Sequence, residues 1–123
     1  MANRSVYISG PYTGTKGEEY ENTMNAAEAA AFYLKQGFFV FCPHTMTRTI
    51  ARNFNQGGEI TYDGWLENDI YFLEKCDIVA FLPGWENSKG AWVEHLVACA
   101  LGKEIEYIKN SEQGGRYGKG EGS

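Results

Sequence analysis

Two carboxylic acids in this 123-residue chain stand where an acid is costly, which makes them candidates for chemistry. The first is Glu94, in Ser88-Lys-Gly90-Ala91-Trp-Val-Glu94. If a helix starts at Ser88, its side chains lean toward the N-terminus, so Glu94 leans over positions 90 and 91. Those are Gly and Ala, which clear a space in front of the carboxylate. The same helix mouth offers free N–H groups and a positive dipole end, where an anion can sit. A carboxylate with a hollow before it, beside an anion site, suits a nucleophile facing a sugar phosphate. The plainer alternative is a capping Ser88 and a solvated Glu94. Flanking Trp92, Val93, Leu96 and Val97 weigh against it by surrounding the acid with apolar groups.

The second acid is Asp69. Trp65, Asp69, Phe72 and Cys76 recur at i, i+4, i+7 and i+11, a row that is otherwise apolar. An unpartnered acid in such a row is expensive. Burial or a nearby carboxylate would raise its pKa, which is how a general acid is made. An edge position facing water is the alternative.

Other residues carry weaker signals. The segment Gly10-Pro-Tyr-Thr-Gly14-Thr-Lys-Gly17 is neither GxGxxG nor a Walker A loop, which argues against a dinucleotide enzyme and a P-loop ATPase. Its backbone could approach a ligand closely, or simply turn. His44 and His95 have no Ser/His/Asp or Cys/His pairing in the sequence, so a structural role is the default for each. Lys16, Arg48 and Arg52 are the cations expected near strand ends. Cys42, Cys76 and Cys99 read as small core residues of a reduced, cytosolic protein. No CxxC or Cys/His spacing suggests a metal site.

The elements that would position these residues follow from hydrophobic patterning. Ser5–Ser9, Phe38–Cys42, Asp77–Leu82 and Glu104–Ile108 read as strands, the middle two ended by Pro43-His44 and Pro83-Gly84. Glu18–Gln36, Tyr62–Lys75 and Ser88–Leu101 read as helices, the first closed by Gly37 and the last capped by Ser88 and ended at Gly102. The alanine-rich centre of the first helix is small enough to pack closely on a sheet. The polar stretch Thr45–Gly58 fits a loop or a short helix. Apolar strands separated by helices predict a parallel sheet covered on both faces, of four to five strands. Ligands bind such sheets beyond the carboxyl ends of the strands. Here those ends carry Ser9-Gly10-Pro11, Pro43-His44 and Pro83-Gly84-Trp85.

Composition sets the outer bounds. Eleven Lys+Arg against 16 Asp+Glu give a net charge of -5, which argues against a nucleic-acid polymer as partner but allows a small phosphorylated ligand. No stretch approaches the roughly 18 apolar residues of a membrane span, and the N-terminus lacks a signal-peptide apolar core. These features predict a cytoplasmic protein with one domain over residues 1–109 and a flexible Gly-rich tail over 110–123.

Taken together, Tyr7-Ile-Ser-Gly10-Pro11, Asn68-Asp69 ahead of Cys76-Asp77, Leu82-Pro83-Gly84-Trp85 and Ser88-x-Gly90-Ala91-x-x-Glu94 resemble the nucleoside 2-deoxyribosyltransferase superfamily. The nearest variety is the small DUF4406 proteins. The resemblance spans roughly residues 5 to 108 and implies a flavodoxin-like α/β sandwich, usually assembled as a homodimer or larger. It implies cleavage of the N-glycosidic bond of nucleosides or nucleotides with no metal or cofactor. Glu94 matches the family nucleophile that attacks C1′, Asp69 the acid that handles the proton at the base, and Tyr7 the residue that orients the nucleophile. Gly10 falls in the loop bordering base and sugar.

Ser88 separates subfamilies. Enzymes acting on free nucleosides have Asp there, against the sugar 5′-hydroxyl; the nucleoside 5′-monophosphate N-hydrolases have Ser, bonded to the phosphate. An Asp would repel phosphate, whereas a hydroxyl and helix amides would hold it. The tail does not match the C-terminal segment that transferases send into a neighbouring active site, which speaks against efficient base transfer. The first loop also departs from that of the monophosphate hydrolases.

The expected activity is therefore hydrolysis of a nucleoside 5′-monophosphate, with a deoxyribonucleotide favoured, to free base and sugar phosphate. Glu94 would form a glycosyl ester that water resolves, with Asp69 assisting. Ser9, Gly10, Pro11, Tyr12 and His44 lie at the strand ends that would border the substrate. Tyr12, Phe41 or Trp85 would stack on the base; Ser88, the amides of Lys89 and Gly90, and Arg48 would take the phosphate. A deoxyribosyltransferase and a nucleotide-binding protein without turnover are the alternatives.

Overall fold

The computed structural model of the chain describes residues 3–109. The elements run β1 (Ser5–Ser9), α1 (Lys16–Lys35), β2 (Phe39–Phe41), α2 (Pro43–Phe54), α3 (Tyr62–Lys75), β3 (Ile78–Phe81), a 3₁₀ turn (Trp85–Asn87), α4 (Lys89–Ala100) and β4 (Glu104–Tyr107). The four strands pair in the order β2-β1-β3-β4, all parallel. This is the α/β class expected, with four strands among the described residues. The order is that of the first four strands in the doubly wound 2-1-3-4-5 arrangement. The tail expected over 110–123 lies outside the described residues.

Each β1 residue chooses a face by the period of two. Val6 and Ile8 join Ile78, Ala80 and the α1 residues Ala26, Ala29 and Ala30 in one apolar layer. Tyr7 joins Val79, Phe81, Leu73 of α3 and Ala91 and Ala98 of α4 in the other. Helices therefore cover both faces, and β1, at the centre, is buried on both. Ala26 and Ala29 are fully buried, so α1 packs closely because its contact stripe has no bulk. Burying each larger aliphatic in these layers contributes about 1.5–3 kcal/mol.

Local chemistry explains the ends of the elements. Thr15 caps α1 by accepting from the Glu18 N–H while the Glu18 side chain returns to the Thr15 N–H, so the helix starts before the sequence suggested. Gly37, at φ 94°, ends it in a conformation that costs glycine little. Pro43 stops β2, as read from the sequence, but it also opens α2 as the first helical residue, where its missing N–H costs nothing. The stretch left open as a loop or a short helix is thus helical as far as Phe54. The five-residue apolar run at 38–42 yields only a three-residue edge strand, with Phe39 60% exposed. Of the cysteines, Cys76 is buried and Cys42 half-buried, but Cys99 is exposed on the outer side of α4 and is not a core residue. No described helix is long and apolar enough to cross a membrane.

Candidate functional site

The alternation that sends Val6 and Ile8 toward α1 sends Tyr7 and Ser9 toward α4. There both meet Glu94. The Tyr7 hydroxyl donates to Glu94 Oε2 at 2.8 Å, and the Ser9 hydroxyl donates to Oε1 at 2.5 Å. Glu94 is 6% exposed, so its carboxylate is held at both oxygens in a nearly dry setting. Burial pushes its pKa up to about 7; the Ser9 and Tyr7 hydrogen bonds pull it down, and the nearby Asp69 charge pushes it up again. Burial, reinforced by the Glu94 charge, holds the Tyr7 hydroxyl well above its ordinary range, so it remains a donor.

A cavity of about 300 Å³ opens in front of this carboxylate, at the carboxyl end of β1. That is small-molecule size. Glu94, Gly90, Ala91 and Ser88 form its α4 side, and Tyr62, Trp65, Leu66 and Asp69 form its α3 side. Gly10, Tyr12, Thr13 and Glu19, with Pro43, His44, Thr47 and Ala51 of α2, complete it from the other side of the sheet. Glu94 and Asp69, 25 positions apart in the chain, thus line one hollow. Burial raises the Asp69 pKa to about 6, with the neighbouring Asn68 side chain opposing. Asp69 Oδ1 is buried and receives no hydrogen bond from the described residues.

Gly90 leaves room on the α4 side: a Cβ there would stand 3.6 Å from the Tyr62 hydroxyl. Gly10 has a different reason to be glycine. A Cβ at Gly10 would fall 2.8 Å from the Leu82 side chain, so close packing of the first turn on the residue that follows β3 already requires it. Ser88 caps α4 by accepting the Ala91 N–H at 3.2 Å, which leaves its own O–H free to donate into the cavity. The N–H groups of Lys89 and Gly90, in the first turn, have no acceptor within the helix.

Other residues named from the sequence fall elsewhere. His44 lines the cavity, but its Nε2 donates to the Pro11 carbonyl at 2.9 Å, and burial lowers its pKa. Its ring is therefore neutral and fixed in one tautomer, and it braces the first turn. Pro11 supplies that carbonyl and does not line the cavity. Tyr12 lines it, edge-on to His44. Trp85 does not: its ring is buried and stacks on His95 at 4.4 Å, so its face is already taken. Phe41 lies between Tyr7 and Phe72, stacked on both, and is likewise absent from the cavity wall. The Arg48 guanidinium lies 5.2 Å from the Tyr20 ring of α1, and Arg48 does not line the cavity. The Lys89 ammonium is exposed near Tyr62 and lines nothing.

Sequence reasoning overlooked Glu19, Thr47, Ala51 and Tyr62. Thr47 and Ala51 are four apart, a helical spacing that would have aligned them had α2 been recognised. Among the described residues no three His, Cys, Asp or Glu side chains gather as a metal site. Comparison with curated proteins returns no match. A family profile does match, over residues 4–107, and covers every element described above: the chain belongs to the DUF4406 family, a domain of unknown function.

Proposed function

We propose that the chain is an N-glycosidase that hydrolyses the base–sugar bond of a nucleoside 5′-monophosphate, in the manner of the nucleoside 2-deoxyribosyltransferase superfamily. The observation that carries this reading is the buried Glu94 carboxylate, held by Tyr7 and Ser9 at a cavity that Asp69 shares.

In this reading a Glu94 oxygen attacks C1′ and the C1′–N bond breaks. The bonding pair leaves with the base, which takes a proton from Asp69. Water then attacks C1′, Asp69 takes its proton, and the C1′–O bond to Glu94 breaks, releasing sugar phosphate. Both displacements invert C1′, so the overall outcome is retention, as in glycosidases with a carboxylate nucleophile. Tyr7 and Ser9 aim Glu94 and moderate its basicity. The Ser88 hydroxyl and the first amides of α4 receive the phosphate.

The test is incubation of the protein with a panel of ribo- and deoxyribonucleoside 5′-monophosphates and the matching nucleosides, followed by chromatography for released base. Release from a monophosphate and not from its nucleoside supports the reading. An intact panel overturns it. Adding a second free base and finding a new nucleoside would instead assign transfer.

A further inference from the structure

The cavity carries one carboxylate that this chemistry does not use. Glu19 stands in the first turn of α1, on the opposite side of the sheet from Glu94, and lines the same hollow beside Tyr12 and Thr47. It is half-buried, and it makes no hydrogen bond or ion pair with a described residue. The capping work at this end is done by Glu18, so Glu19 is not needed for it. Arg48 and Arg52 are near enough for their charges to be felt at the Tyr12 hydroxyl, yet neither pairs with Glu19. The Tyr12 hydroxyl is itself buried and without a partner. Glu19, an acceptor-only group, and Tyr12 thus line the hollow on the side away from the nucleophile.

We propose that Glu19 is a specificity-determining residue that selects bases presenting two adjacent N–H donors, as guanine does with its ring N1–H and its exocyclic amine. This rests on the nucleotide reading above, in which C1′ lies at Glu94 and the base extends toward α1 and α2. A carboxylate has two acceptor oxygens and no donor. It matches the guanine edge with two parallel bonds. Uracil and thymine offer one N–H between two carbonyls, so their oxygens would oppose the carboxylate. Cytosine and adenine offer an amine beside a ring acceptor and match by half. The same charge repels phosphate from this end and leaves it to the Ser88 end, which fixes the direction in which a nucleotide enters.

The experiment compares wild type, Glu19→Gln and Glu19→Asp, each checked for an unchanged circular dichroism spectrum. Two quantities are measured: kcat/KM for base release, and Kd by calorimetry, for the guanine, adenine, cytosine and uracil 5′-monophosphates. Wild type should favour guanine over uracil by at least tenfold, since guanine makes a bidentate contact with the carboxylate and uracil sets its oxygens against it. Glu19→Gln, which adds a donor, should lose most of that ratio and gain on uracil. Glu19→Asp keeps the charge at the helix start but shortens its reach, so it should also lose the ratio. A role confined to the helix dipole would leave the Asp variant at wild-type selectivity. A base ratio unchanged in both variants, with turnover intact, overturns the Glu19 proposal and leaves the glycosidase reading standing. Guanine-selective binding that depends on Glu19, with no base released, supports Glu19 and overturns the glycosidase. No binding of any nucleotide overturns both.

Discussion

The Tyr7 hydroxyl and Glu94 Oε2 meet at 2.8 Å, joining the central strand to α4 across 87 positions of the chain. The bond is possible because Tyr7 and Ser9 share a strand face and because Gly90 and Ala91 leave the carboxylate uncovered. It does two things. It aims Glu94 into the cavity, and it favours the ionised form against the cost of burial. Tyr7→Phe removes the donor and keeps the ring stacked on Phe41. A hydrogen bond to a charged group contributes about 1.5–3 kcal/mol. The variant should therefore lose about tenfold or more in kcat/KM, and its alkaline limb should move to higher pH because Glu94 ionises less readily. A full pH profile checks this; an unshifted limb would mean that the bond does not hold the carboxylate.

The two acids should titrate as a pair, with a bell-shaped dependence of kcat/KM on pH. Activity peaks in the one-proton form, between a rising limb near 6, where Asp69 ionises, and a falling limb near 7, where Glu94 ionises; the productive arrangement, Glu94 ionised and Asp69 protonated, is the minor one-proton form. Asp69→Asn should abolish the falling limb and lower the maximum by about a hundredfold or more, the usual contribution of a general acid. The one limb that remains should report Glu94 alone and lie below pH 7, because the Asp69 charge no longer pushes the Glu94 pKa upward. A remaining limb still at about pH 7 would separate the two acids electrostatically.

Stability should carry the same signature with a definite sign. Unfolded, Glu94 ionises near its ordinary 4.5; folded, it holds its proton to about 7. Between those values the folded state binds the proton that the unfolded state has released. Raising the pH through that window therefore destabilises the fold, by something on the order of 3 kcal/mol, with the loss complete above about pH 7. Asp69 acts in the same direction from 3.8 to about 6. Glu94→Gln carries no such penalty, so its Tm advantage over wild type should grow from pH 4.5 to pH 8. Scanning calorimetry at several pH values measures it. A constant difference would refute the burial argument.

Ser88→Asp tests the phosphate end without disturbing the helix, because Asp caps as well as Ser. The new charge would face the phosphate. Hydrolysis of 5′-monophosphates should fall by about tenfold or more, at 1.4 kcal/mol for each tenfold, while any activity on the nucleosides should hold or rise. Equal losses on both would remove Ser88 from phosphate recognition.

The parallel sheet and the bounds of β1 and α3 were legible because their signals are local: a β-branched run closed by Gly-Pro, and a stripe at helical spacing. Helix α2 was not. Its apolar residues are few, and although Met46, Ile50 and Phe54 recur at helical spacing the stretch was read by its polar character, with Pro43 recognised only as a stop. The spacing Ser88-x-Gly90-Ala91-x-x-Glu94 exposed the carboxylate and its hollow because one helix turn contains the whole arrangement. What the hollow faces is tertiary. Glu19, Thr47 and Tyr62 arrive from three helices, and no local pattern marks them. Trp85 failed as a base platform for the opposite reason: a large aromatic beside a turn resembles a ligand platform until its partner, His95, is seen stacked on it.

The central claim is that Glu94 bonds covalently to the sugar, and intact-protein mass spectrometry after acid quench measures that bond directly. Wild-type protein mixed with a cleavable nucleotide should gain the mass of one sugar phosphate, confined after digestion to the peptide that contains Glu94. Glu94→Gln should gain none and should lose turnover by about a thousandfold or more, while still binding the nucleotide. Base release at the wild-type rate from Glu94→Gln, or an adduct on a different residue, would contradict the account.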